Sequence, residues 1–168
     1  MTNPKSRLSM TNPWHLLATG FGSGLSPVVP GTMGTLASVP FYLLLAQLPL
    51  TLYIVVVIAA SLIGIKICQV TSDDMQVHDH GSIVWDEFAG FWITMLIVPV
   101  LQLSVFEWKW LLAGFVLFRF FDMVKPWPIG WLDKRVHGGL GIMLDDLVAG
   151  VMSALALALV GYWAGWLS

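Results

Sequence analysis

Residues 35–65 read TLASVPFYLLLAQLPLTLYIVVVIAASLIGI and contain no charged side chain. Roughly 20 apolar residues in helical form cross the hydrocarbon core of a bilayer, and this run is long enough for two short passes. Pro49 places a turn near its middle. The stretch therefore divides into a span over about 35–49 and a second over about 50–69, joined as a helical hairpin.

The remainder of the chain repeats the pattern. Hydrophobic residues make up 57% of the sequence and charged residues only 11%, with a mean hydropathy of +0.80, whereas a soluble domain carries about a quarter charged residues. The composition predicts an all-α integral membrane protein: one domain over residues 1–168, built as a compact bundle of four to five short transmembrane helices. A third span is expected over about 88–106, with Pro99 as a kink inside it. An interfacial turn follows at Glu107–Trp110, where charges alternate with tryptophans. A fourth span is expected over about 108–121 and a fifth over about 147–167.

Upstream, residues 14–34 are uncharged but interrupted by Gly20, Gly22, Gly24, Pro27, Pro30, Gly31 and Gly34. So many breakers predict a turn-rich re-entrant or interfacial segment, tolerated at membrane depth only under cover of protein or water. Lys5 and Arg7 lead into polar residues and then this segment, without the apolar core and small-residue cleavage site of a signal peptide. The single cysteine, Cys68, lies in an apolar run and reads as a packed small hydrophobe.

Charge location matters more than the net value of -2, which shows no basic run for nucleic acid. With five spans and the N-terminus inside, Lys5, Arg7, Lys66, Arg119, Lys125, Lys134 and Arg135 fall on or beside the cytoplasmic face, and Lys109 falls outside. The same threading gathers the Gly/Pro segment, the 71–87 loop and the 122–146 loop on one face. Nine of the ten acidic residues belong there: Asp73, Asp74, Asp79, Asp86, Glu87, Asp122, Asp133, Asp145 and Asp146. Asp73, Asp74 and Asp133 read as solvated loop carboxylates.

Two acidic pairs echo each other, "DEFAGF" from Asp86 and "DDLVAG" from Asp145. Each pair is expected to open an apolar helix, with a small residue, Gly90 or Ala149, at i+4 from its first member to allow close helix approach. Helix N-termini favour one acid apiece. Four converging carboxylates repel unless a cation neutralises them, and an oxygen-ligated divalent ion such as Mg²⁺ suits Asp86, Glu87, Asp145 and Asp146, with Asp122 in reach.

Arg119 and Asp122 stand at i,i+3, where they either form a salt bridge or, with Lys125, assemble a phosphate site beside a metal. The Gly31-Thr32 turn before the first span offers backbone amides to an anion. His78 and His80 lack helical ligand spacing, and His80 is the better candidate for proton transfer. His15 and His137 show no local partner pattern. Known phosphatase nucleophile motifs and the Gly-x-Ser-x-Gly elbow are absent. A metal-activated water attacking an ester is the enzymatic chemistry left to carboxylates and two cations. A small transporter or channel is the competing class, because intramembrane carboxylates also mark ion pathways. It predicts ionisable groups near mid-membrane, whereas these acids gather at one interface. A non-catalytic assembly partner would not need the clustering.

Four segments taken together, "GFGSGLSPVVPGTMGTL" from Gly20 onward, "HDHGSIVWDEFAGFW" (78–92), "FRFFDMVKPWPIGWLD" (118–133) and "HGGLGIMLDDLVAG" (137–150), resemble the phosphatidylglycerophosphatase A family of bacterial inner membranes. The resemblance covers nearly the whole chain and keeps the family's motif order. It implies a Mg²⁺-dependent phosphatase acting on the terminal phosphate of a membrane phospholipid, phosphatidylglycerophosphate, from the cytoplasmic face. It carries over Asp86, Glu87, Asp122, Lys125, Asp145 and Asp146 as site residues, with Arg119 and the Gly31-Thr32 turn as phosphate contacts. Direct attack by water is preferred to an aspartyl-phosphate because no nucleophile motif is present.

Overall fold

The computed structural model describes residues 4–166, and among them there is no strand. The chain opens with a 3₁₀ turn at Pro4–Arg7 and a short helix α1, Pro13–Ala18, whose Asn12 cap accepts the Trp14 amide. A second 3₁₀ turn, Ser23–Leu25, precedes α2, Pro30–Leu45. Then follow α3 (Leu50–Met75), α4 (Trp85–Met95), α5 (Ile97–Val100), α6 (Trp108–Val124), α7 (Ile129–Asp133) and α8 (Gly138–Trp163).

The short connections make successive long helices run in opposite directions. The starts of α2, α4 and α8 and the ends of α3 and α6 therefore share one end of the bundle. At the other end, Gly161 of α8 lies against the Trp110 ring of α6. The core between the helices is aromatic, with Tyr42, Tyr53, Phe88, Phe91 and Phe118 fully buried. Polar ties fix its register: Tyr53 Oη donates to the Trp92 carbonyl at 2.7 Å, and Trp92 Nε1 donates to the Ser38 carbonyl at 3.1 Å, joining α3, α4 and α2.

Two helices, α3 and α8, are long and apolar enough to cross a membrane. Only 28% of the most apolar window of α3 is buried inside the bundle, and Leu52, Val55, Ile58 and Leu62 face outward. A core helix of a soluble domain would bury that surface, worth about 25 cal/mol per Å² in water. An apolar outer face of this kind suits a lipid surrounding.

Element boundaries differ from the sequence reading in ways that matter for the site. The first span begins at Pro30, inside the segment expected to be turn-rich, because proline at the first helical position needs no amide partner. The third is shorter than 88–106: α4 ends at Met95 and α5 at Val100, and Pro99 lacks the amide that would continue the ladder to Met95. The polar 122–144 loop contains α7 and the first turns of α8. Most consequentially, α8 starts at Gly138, so Asp145 and Asp146 lie about two turns inside it. The expectation that this pair opens its helix is overturned, and with it any support from the helix N-terminus, which fades beyond the first turn.

Candidate active site

Asp86 and Glu87 occupy the first turn of α4, as expected, and both are buried. Asp145 and Asp146 are buried too, on the α8 face that crosses α4. Glycine permits the crossing. A Cβ on Gly90 would stand 2.7 Å from the Asp146 carbonyl oxygen, and one on Gly150 would stand 2.5 Å from the Gly90 carbonyl oxygen. Gly150, one position beyond the Ala149 expected from the sequence, is the α8 member of the close approach. Thr94 Oγ1 lies between the two helices, 3.1 Å from the Gly90 oxygen and 3.4 Å from that of Gly150.

Arg119, near the end of α6, forms both kinds of ion pair open to it. Its Nη1 lies 2.7 Å from Asp122 Oδ2 along its own helix and 3.1 Å from Glu87 Oε1 across to α4. Thr35 on α2 completes this corner, with Oγ1 3.1 Å from Glu87 Oε2 and 3.4 Å from Arg119 Nη1. The sequence reading did not single out Thr35. Its signal was available, because it stands one helical turn after Gly31 and so shares a face with it. Gly31 itself meets Glu87 and the Arg119 guanidinium, so closely that a Cβ there would collide with the Glu87 carboxylate. Thr32 is half-buried on the same turn.

Lys125 caps α6 in the left-handed region, with φ 45°, a conformation that turns the chain sharply out of the helix. Its amine pairs with Asp145 and lies 2.7 Å from Asp133 Oδ1. Partial burial alone would lower the Lys125 pKa. The hydrogen bonds and charges of Asp133 and Asp145 outweigh that and raise it, so the amine stays protonated. Asp133, expected to be a solvated loop acid, is thus a partner of the site.

The histidines fall elsewhere. His80 Nδ1 accepts the Ser82 amide at 3.1 Å and makes no hydrogen bond to the buried carboxylates; burial, with Lys5 nearby, lowers its pKa. His78 Nε2 accepts the Gly138 amide at the start of α8, 2.9 Å away, and its ring meets that of His137. His15, without a local partner pattern, is buried and bonded through Nε2 to Asp74 Oδ2 at 2.9 Å, tying α1 to α3. A pairing 59 residues apart leaves no mark on local spacing.

Against Arg119 and Lys125 stand Asp86, Glu87, Asp122, Asp133, Asp145 and Asp146, an excess of negative charge that burial penalises most at Asp86, Glu87, Asp145 and Asp146. Asp86 Oδ1, Asp145 Oδ1 and Asp146 Oδ2 are buried with no hydrogen-bond partner. Hard, unpartnered carboxylate oxygens are the donor chemistry that suits Mg²⁺, so the chemistry of the donor set, though not a finished geometry, fits such an ion. No ready-made cage surrounds it: among the described residues, no three His, Cys, Asp or Glu side chains are drawn together closely enough to hold a metal. Glu87 and Asp122 are engaged by Arg119 instead.

The phosphatidylglycerophosphatase A family model matches residues 16–161. An Escherichia coli protein named phosphatidylglycerophosphatase A is 60% identical over 94% of this chain and 89% of its own. A Haemophilus influenzae protein of the same name is 44% identical over 96% of both chains. A Bacteroides thetaiotaomicron protein, whose name offers phosphatidylinositol-3-phosphatase as a suggestion, is 36% identical over 89% of this chain and 94% of its own. No solved structure matches this chain.

Proposed function

Because the chain belongs to the phosphatidylglycerophosphatase A family, we propose that it hydrolyses the terminal phosphomonoester of phosphatidylglycerophosphate to phosphatidylglycerol and inorganic phosphate. The observation that carries this reading is the crossing of α4 and α8, which buries Asp86, Glu87, Asp145 and Asp146 beside Arg119 and Lys125. Mg²⁺ is the cofactor in this reading, held by the free oxygens of Asp86, Asp145 and Asp146, with Glu87 and Asp122 able to join. When bound, it would polarise the phosphoryl group and acidify the attacking water.

The chain's own residues have separate tasks. Arg119, a planar fork already aimed at two carboxylates, can exchange one for a phosphate oxygen without moving its stem. Lys125, kept protonated, neutralises charge as the leaving alkoxide departs. A site carboxylate accepts the proton of the attacking water; Asp86 and Glu87 are the candidates, and His80, bonded to the Ser82 amide, is not hydrogen-bonded to them. The Gly31-Thr32 turn at the start of α2 lets the phosphate approach the backbone.

In this reading α2, α3, α4–α5, α6 and α8 are the five spans of an inner-membrane protein and the site faces the cytoplasm. The basic residues gathered at that end support the orientation. Acyl chains stay in lipid while the headgroup reaches the carboxylates.

The test is phosphate release by purified protein from micellar phosphatidylglycerophosphate with Mg²⁺, repeated in EDTA. Release that EDTA abolishes and Mg²⁺ restores is expected. Undiminished turnover in EDTA would overturn the metal assignment, and no release with Mg²⁺ present would overturn the activity.

A further inference from the structure

We propose that an acyl chain of the phospholipid substrate lies in the groove between α2 and α6, which makes this groove the lipid-binding half of the site. The inference rests on the phosphatase reading above and says where the substrate's apolar part goes. The groove has a volume of about 400 Å³ and is lined by Leu36 and Val39 of α2 and by Trp108, Leu111, Leu112 and Phe115 of α6.

Its position relative to the polar residues decides the occupant. Leu36 follows Thr35, the hydroxyl shared by Glu87 and Arg119. Phe115 stands one helical turn before Arg119. The groove thus begins directly beneath the Arg119 corner and runs away from it along two antiparallel helices. At about 1.5 Å per residue, the distance from Phe115 to Trp108 adds roughly 10 Å of apolar depth below the headgroup position. Leu36, Leu112 and Trp108 are more than half exposed on the outer face, so a lipid enters sideways without leaving the bilayer. Met33, one turn above Leu36, and Phe120, next to Arg119, are exposed apolar side chains toward the polar end.

An outer groove formed by Phe41, Leu44, Leu45, Leu48, Val56 and Trp92 lacks this continuity. It sits at the opposite end of α2, where no site residue lies.

A lipid tail gains little by exchanging one apolar surrounding for another. The groove's contribution is orientation, which holds the phosphate at the carboxylates, and misplacement by an ångström is costly in rate.

The experiment compares Leu112→Trp and Leu36→Trp, which fill the groove, with Leu44→Trp, which fills the distant one. Each is assayed with long-chain and dibutyryl phosphatidylglycerophosphate in the same micelles. Filling the α2/α6 groove is expected to lower kcat/KM for the long-chain substrate about tenfold relative to the dibutyryl one. Leu44→Trp is expected to leave that ratio at the wild-type value. An unmoved ratio in both groove variants, an equal loss on both substrates, or the same change in Leu44→Trp would overturn the inference. A wild-type protein inactive on both substrates would overturn the phosphatase reading and this one with it.

Discussion

Thr35 has one hydroxyl proton and two acceptors for it, the Gly31 carbonyl oxygen and Glu87 Oε2, each 3.1 Å away. It can close its own helix or hold the carboxylate, and the nearby Arg119 guanidinium keeps Glu87 in place in either case. Thr35→Val removes the choice while keeping the shape. A lost hydrogen bond to a charged group costs about 1.5 kcal/mol, or roughly tenfold in kcat/KM. Thr35→Ser should restore activity, and failure to do so would show that the methyl group is what matters. Arg119 is less replaceable. Arg119→Met leaves the buried Glu87 and the half-buried Asp122 without their counter-charge and should destabilise the folded protein by about 3–5 kcal/mol. Thermal unfolding in detergent measures this, and adding Glu87→Gln to the variant should recover part of the loss. No recovery would mean that Arg119 acts by packing its stem.

The α4–α8 crossing depends on two glycines at one point of contact. Gly150→Val would drive branched carbons into the Gly90 carbonyl and the Ile93 side chain. Moving α8 outward takes Asp145 and Asp146 away from Asp86, so activity should fall at least about a hundredfold, with the helices still formed by circular dichroism. Gly81→Ala, where an added Cβ meets nothing nearer than Pro30 Cγ at 3.7 Å, is the matched control and should be silent. This crossing also separates what the sequence could say from what it could not. The acidic pairs, the small residues that follow them and the Arg119-Asp122 spacing were legible because each is a short-range pattern. The start of α8 was not. Residues 137–144 contain glycines that read as a loop, and the packing of Gly139 against the Ile65 carbonyl and the Gln69 backbone, which keeps them helical, is a contact distant in sequence. His15 with Asp74 and Thr35 with Glu87 were hidden for the same reason.

The whole molecule has a polar, acid-rich end and an end where α6 begins and α8 finishes. If it spans the inner membrane with the acid-rich end inside, the two ends differ in access to an impermeant reagent. Cys68 helps here, since it is fully buried in α3 and should not react in intact cells. The wild-type chain then serves as its own unlabelled background, and single cysteines can be introduced without further change. Lys109→Cys, in the Trp-flanked first turn of α6 at the far end, should be labelled by an impermeant maleimide added outside once the outer membrane is permeabilised. Lys134→Cys, just past α7 at the acid-rich end, should be labelled only after the inner membrane is opened. Labelling of Lys134→Cys from outside would invert the orientation, and labelling of both from outside would remove the membrane barrier between the two ends. The expected pattern places the carboxylates on the side where Mg²⁺ and newly made phospholipid precursors are supplied, and it leaves the α2/α6 groove open within the bilayer between the two labelled ends.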